Sequence, residues 1–340
     1  MRAVVFTAPQ QYAIGQVPDP EPARGEVRLR RLVTGVCGTD VHLLAGGFMA
    51  RYPLIPGHEI VAEVESLGDG VSGLGVGDAV AVDNTVLCGH CEYCRRDQPL
   101  YCENFYSLGC NGPGGFADLL VARADKCFPL DGLDPMVAVM TEPLACAMHG
   151  ADSLGLAPGS DVLLFGAGPT GLLLSQLLLH GGAARMTVAA PSQHKLDLAR
   201  SFGVDQIVLM DRSAPEASLA ALREIAPPGF DVVVEATGSP AVLQLALRRE
   251  LTRMGATVMI YGMANETDQV PISPYEVFSR ELTIRGSFAQ THCFDRALLA
   301  LRTGRVRTDG IVTDVVPLDR FDDALAAVGN SASVKAVVRD

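Results

Sequence analysis

From Asp161 onward the chain repeats one order: a short β-rich run, a turn, a helical run, and then the next β-rich run. The series is Asp161 to Phe165, Pro169 to His180, Met186 to Ala189, Gln193 to Phe202, Gln206 to Met210, Asp231 to Glu235, Ser239 to Leu251, Ala256 to Tyr261 and Leu282 to Arg285. Parallel neighbours need a crossover, usually a helix, so this alternation predicts an α/β fold: a doubly wound parallel sheet with helices on both faces. The first turn reads Gly166-Ala167-Gly168-Pro169-Thr170-Gly171. Alone, such a glycine pattern is a common turn; between a strand and an apolar helix it is a dinucleotide site. Gly166 permits the tight bend, Gly168 lets backbone approach a pyrophosphate, and Gly171 lets the helix pack against the strand, while Pro169 and Thr170 open the helix whose N-terminus faces the phosphates.

Such folds place an acid about twenty residues further on, where it binds the adenosine ribose. Here the run is Ala189-Ala190-Pro191-Ser192-Gln193-His194-Lys195. Ala190 removes both the hydrogen bond to the ribose and the charge that would repel a phosphate. Ser192 offers a hydroxyl, and His194 and Lys195 offer positive charge, although no arginine in the turn makes the bidentate contact a phosphate favours. NADP is therefore expected over NAD, with an enzyme that accepts either as the alternative.

The first half has a different character. Short β-rich runs at Ala3 to Phe6, Val27 to Val36, Ile60 to Ser66 and Ala79 to Val82 are separated by Gly and Pro, which predicts an irregular β domain. A buried helix is expected from Asp134-Pro135 through Val139-Met140 toward His149. The last fifty residues return to mixed character, with helices near Phe294 to Arg302 and Phe321 to Val328 and a strand near Val334 to Val338. The expected domains are residues 1–150, 151–288, and a return at 289–340 to the first domain.

Within the first half, Cys88, Cys91, Cys94 and Cys102 supply four thiolates in one small lobe. That set suits a tetrahedral structural zinc, closed to substrate, in preference to disulfides or an iron–sulfur cluster. Nine cysteines make an odd count, and no secretory pattern follows Met1, so a reducing cytoplasm is expected. A formal charge of −12 without a basic block excludes nucleic acid and anionic membrane as expected partners. The longest apolar stretches fall short of a bilayer span.

Cys37-Gly38-Thr39-Asp40-Val41-His42 and Gly57-His58-Glu59 hold the other metal-type residues. A single buried Cys or His is usually structural, but together Cys37 and His58 propose an open zinc site, with Glu59 or the distant Glu142 as the carboxylate.

With Gly57-His58-Glu59 continuing to Gly68 and Val71, the Val76-Gly77-Asp78-Ala79-Val80 turn, the four-cysteine lobe, Glu142-Pro143-Leu144 and the glycine fingerprint, the whole chain resembles the zinc-containing medium-chain dehydrogenases. Glu142, where monohydric alcohol dehydrogenases usually carry a cysteine ligand, makes it similar to the polyol, sorbitol-dehydrogenase-like branch. Ala62 departs from the signature's usual glycine, a packing change. The resemblance implies a GroES-like catalytic domain beside the Rossmann domain, and a homodimer or homotetramer pairing near Leu282 to Phe288. It implies catalytic zinc on Cys37, His58 and either Glu59 or Glu142. Asp40 would orient the metal-bound His, and Thr39 and His42 would relay the proton. The activity implied is oxidation of a secondary hydroxyl of a polyol, a pentitol or hexitol, to a ketose with NAD(P). A secondary-alcohol or threonine-type dehydrogenase, or a non-catalytic redox sensor that kept the fold, are the other readings.

Overall fold

Every residue of Asp161–Phe165 is buried, as a strand covered by helices on both faces requires. In the computed structural model, which describes residues 1–211 and 213–340, this strand lies near the centre of a six-stranded sheet. The order is Gln206–Leu209, Arg185–Ala190, Asp161–Phe165, Phe230–Glu235, Thr252–Ile260, Thr283–Gly286. All five pairings are parallel, the doubly wound arrangement that the alternation predicts. The chain walks from the centre to one edge, then returns to start again beside its first strand. A topological switch point therefore lies between Asp161–Phe165 and Phe230–Glu235. Leu163, Phe165, Leu222, Phe230 and Val258 are among the buried residues that fill one face.

Two helices here differ from expectation. Pro215–Ile225, opened by a proline at its first turn, covers a stretch that the sequence pattern left unassigned. The run Ser239 to Leu251 is helical only over Pro240–Ala246; the chain then turns so that fully buried Leu251 reaches the sheet.

These elements belong to one compact unit, Cys146–Ala289; the other comprises Met1–Ala145 and Gln290–Asp340. The second unit is built on a seven-stranded sheet in which Lys335–Val338, Glu26–Gly35 and Glu59–Leu67 are consecutive neighbours. The register sets Gly35 opposite Glu59 and, on its other side, opposite Val337. Phe6, Leu43, Phe116 and Phe321 pack beneath, with the Phe116 and Phe321 ring centroids 4.8 Å apart. The helix expected from Asp134 to His149 is two helices, Pro135–Ala138 and Thr141–Leu154. Pro143 explains the break. It cannot donate to the carbonyl of Val139 and its ring would clash there, so the chain restarts the helix and places Pro143 in a first turn, where no intrahelical donor is needed.

Candidate metal centre and dinucleotide site

Cys37 is the N-cap of helix Gly38–Ala45. Asp40, fully buried, closes that cap: its Oδ2 accepts from the Cys37 N–H at 2.9 Å. The same carboxylate presents Oδ1 at 3.7 Å from His58 Nδ1, an ion-pair distance without a hydrogen bond. His58 is held through its backbone. Gly57 occupies the left-handed region at φ +95°, and a Cβ on Gly109 would stand 2.3 Å from the Gly57 carbonyl oxygen. Glycine at both positions thus lets two backbones meet and fixes where strand Glu59–Leu67 begins. The donor atoms of Cys37, His58 and Glu59 consequently lie within 4.8 Å of one another.

Beside them is a residue the sequence reading missed. Lys335, 3% exposed, donates from Nζ to Glu59 Oε1 at 2.6 Å. Gly35 makes the space, since a Cβ there would sit 1.8 Å from Glu59 Oε2. Burial opposes charge on Lys335, but Glu59, Cys37 and Asp40 outweigh it and raise its pKa. Burial likewise opposes protonation of His58, yet Cys110, Asp40 and Cys37 push its pKa well above the ordinary value. With Cys37 as thiolate, three anions, Cys37, Asp40 and Glu59, surround one ammonium. With His58 protonated, as its raised pKa implies, the metal-free cluster is −1 (two positive minus three negative); with His58 as a neutral ligand it is −2, the charge a divalent ion balances. An uncompensated buried charge costs several kcal/mol, so this cluster calls for a divalent cation. Among the described residues, His58 Nδ1 and Asp40 Oδ1 are buried without a hydrogen-bond partner, while Glu59 Oε2 is ion-paired with Lys335 Nζ. Thiolate, imidazole and carboxylate are zinc donors, and the residues fit that ion.

Glu142 opens helix Thr141–Leu154, half-buried, and is not part of the three-residue group. Thr39 and His42 share helix Gly38–Ala45. Thr39 Oγ1 lies 3.6 Å from Cys37 Sγ, which brings a hydroxyl to the edge of the cluster.

Cys88, Cys91, Cys94 and Cys102 form a second group with donor atoms within 4.8 Å. Backbone N–H groups point at the sulfurs: Cys88 N–H to Cys102 Sγ and Cys91 N–H to Cys88 Sγ, both at 3.4 Å. The thiols respond unequally. Backbone donation from His90 takes Cys88 down to about 6, whereas burial and the neighbouring thiols push Cys94 up to about 12. Four crowded sulfurs cannot all ionise on their own, and a bound cation removes that conflict.

In the other unit the glycines serve three distinct ends. Gly166 has φ +116°, Gly168 is the extended N-cap of helix Pro169–His180, and a Cβ on Gly171 would stand 2.2 Å from the Gly166 carbonyl oxygen. A Cβ on Gly168 would meet nothing within 4 Å, so its backbone faces open space where a pyrophosphate could approach. Pro169 and Thr170 form the first turn of that helix. Ala190 ends its strand and is 2% exposed. Ser192 is the N-cap of helix Gln193–Ser201, yet its hydroxyl does not cap it. Lys195 is half-buried, and burial lowers its pKa.

Sequence reasoning missed Lys335, Gly35 and Cys110. Lys335 had a signal: a lysine inside the apolar run Val334 to Val338 is a charge on an interior strand, which needs a partner. Cys110 had none, because only the fold brings it to His58.

The alcohol dehydrogenase GroES-like domain family matches residues 23–132, and the zinc-binding dehydrogenase family matches residues 169–302. The chain is 40% identical over 340 residues to D-arabinitol dehydrogenase 1 of Uromyces fabae, covering 100% of this chain and 97% of that protein. It is 31% identical to L-threonine 3-dehydrogenase of Idiomarina loihiensis, over 95% of this chain and 94% of that one. Among solved structures, a zinc-binding dehydrogenase from Sinorhizobium meliloti 1021, bound to NADP, superposes with a TM-score of 0.92 at 30% identity, covering 100% of this chain and 99% of that one.

Proposed function

Because this chain belongs to the zinc-binding dehydrogenases with an alcohol dehydrogenase GroES-like domain, we propose that it reversibly oxidises a secondary hydroxyl of a pentitol or hexitol to a ketose. The observation that carries this reading is the Cys37–His58–Glu59 group, half-buried at Cys37 and buried at His58 and Glu59, with donor atoms within 4.8 Å of one another. Similarity to a D-arabinitol dehydrogenase supports the substrate class.

Zinc, when bound, supplies a Lewis acid that acidifies a hydroxyl, and the nicotinamide supplies the hydride acceptor. Cys37 and His58 hold the ion, Glu59 completes the donor set, and Glu142 is the alternative carboxylate. Asp40 keeps the His58 ring turned with Nε2 toward the metal. Lys335 balances Glu59, so the loaded cluster is neutral before substrate enters. Thr39 would take the hydroxyl proton while handing its own through a ribose hydroxyl of the nicotinamide nucleoside to His42 and solvent, and the carbinol C–H bond's electron pair would go with its hydrogen, as hydride, to the nicotinamide. In the dinucleotide unit Gly166, Gly168 and Gly171 with Pro169 and Thr170 receive the pyrophosphate. Ala190, Ser192 and Lys195 favour a phosphate on the adenosine ribose, hence NADP over NAD, and the NADP-bound relative supports this.

Edge strand Thr283–Gly286 and helix Pro274–Arg280, with Phe278 82% and Tyr275 72% exposed, supply the pairing surface of a homodimer or homotetramer. Nine cysteines, an odd count, suit a cytoplasmic setting. No helix among the described residues is long and apolar enough to cross a membrane.

The test is initial-rate assay of four- to six-carbon polyols, simple secondary alcohols and L-threonine with NAD and NADP. A polyol should give the highest kcat/KM. L-threonine outperforming every polyol would establish the second reading, which the threonine dehydrogenase relative favours.

A further inference from the structure

The parallel sheet repeats one device twice. Strand Asp161–Phe165 leads through Gly166 to Gly168 into a helix with proline in its first turn, and strand Phe230–Glu235 leads through Ala236 to Ser239 into another. Phe165 and Glu235 are register partners at the ends of these adjacent strands. They differ in one respect. The first turn is open in front of Gly168, whereas the second is closed around a carboxylate.

Glu235 is 1% exposed. Its Oε1 accepts from the Thr237 N–H at 2.7 Å and from the Thr237 hydroxyl, and its Oε2 accepts from the Gly238 N–H at 3.2 Å. Thr237 Oγ1 in turn accepts from the Ser239 N–H at 3.1 Å. Consecutive N–H groups turned to one side form the concavity that elsewhere binds anions. Here the chain supplies its own anion. The turn is also wedged from both sides. A Cβ on Gly166 would stand 3.0 Å from the Ala236 carbonyl oxygen, and one on Gly262 would stand 2.1 Å from the Gly238 nitrogen.

We propose that Glu235 is a positioning residue for the dinucleotide: its carboxylate fills the second turn's anion nest and sets Ala236–Ser239 as the wall on the nicotinamide side. Dinucleotides cross the carboxyl ends of the strands at the switch point. The first turn takes the pyrophosphate, and Arg185–Ala190 lies on the adenosine side. The other half of the ligand then falls to the strand ending in Glu235. A filled nest cannot compete for phosphate, so the ligand has one register, and a rigid turn spares the ordering cost that a loose one would impose on binding.

This inference rests on the dinucleotide reading, and binding to the wild-type protein separates the two. Dissociation constants for NADPH and NADH, from nucleotide fluorescence, and for ADP, by competition, are measured for wild type, Glu235→Gln and Thr237→Val. Wild type should bind at least one reduced dinucleotide; binding of neither overturns the dinucleotide reading and this inference with it. Glu235→Gln turns an amide N–H toward a backbone N–H and should weaken the dinucleotide roughly tenfold while ADP changes less than about twofold. Thr237→Val, which keeps the carboxylate but loses the hydroxyl that donates to it and accepts from the Ser239 N–H, should weaken the dinucleotide by about threefold and again spare ADP. Should Glu235→Gln fail to fold, Thr237→Val decides. Dinucleotide affinity within about twofold of wild type in the folded variants, or equal losses for dinucleotide and ADP, would overturn the positioning role.

Discussion

Lys335 is where one residue decides most about the candidate metal cluster. Its ammonium stands against Glu59, one of the donors of the candidate metal group. Breaking one side of a buried pair costs about 3–5 kcal/mol. Lys335→Met should therefore lower the melting temperature of the metal-free protein much more than that of the zinc-loaded protein, where the ion takes over Glu59. Equal losses in thermal denaturation with and without zinc would contradict this. The raised pKa values set the pH direction. Lys335 and His58 bind protons more tightly folded than unfolded, so their contribution to the metal-free fold is present at low pH and lost as pH rises through their folded values. Zinc must displace the proton on His58, so zinc affinity, read by chelator competition, should fall as pH drops below that raised value. His42→Ala should slow alcohol oxidation by about 10- to 100-fold at neutral pH with zinc content unchanged; a wild-type rate across pH would remove His42 from the relay. Ala190→Asp should move cofactor preference toward NAD by placing a negative charge where the ribose phosphate would lie, read as the ratio of kcat/KM for the two cofactors.

At the scale of elements, the four-cysteine lobe is held by its ligand set more than by packing. Its helix Glu92–Arg95 has no buried residue. Cys94→Ser should cost the protein one equivalent of zinc and lower its melting temperature, as metal analysis and calorimetry would report; an undiminished zinc-to-protein ratio would refute the structural site. The parallel sheet was legible in the sequence because local alternation and long-range pairing agree there: Asp161–Phe165 and Pro169–His180 have the bounds that pattern and turn residues predict. Helix 134–149 was misread because its break depends on one missing N–H at Pro143 acting on Val139, four residues earlier. The metal donors were legible as residue types. Their companions Gly35, Cys110 and Lys335 come from strands and loops that sequence spacing does not join, and the anion nest around Glu235 needs backbone directions that only the fold supplies.

At the scale of the molecule, two compact units divide the candidate sites: Met1–Ala145 with Gln290–Asp340 carries both cysteine-containing groups, and Cys146–Ala289 carries the glycine turn. The face proposed for pairing carries the exposed side chains of Phe278 and Tyr275. Phe278→Asp should shift the molecular mass measured by light scattering toward that of a single chain; an unchanged oligomer would place the interface elsewhere. Polyol oxidation should depend on the metal proposed for Cys37, His58 and Glu59. The most direct measurement is the rate of NADP or NAD reduction by the best polyol, taken in parallel for wild type and His58→Ala after metal analysis of both. The account predicts robust turnover in wild type and essentially none in the variant, which should retain the lobe's zinc and lack the other equivalent. Wild-type turnover by His58→Ala lacking that zinc would contradict it.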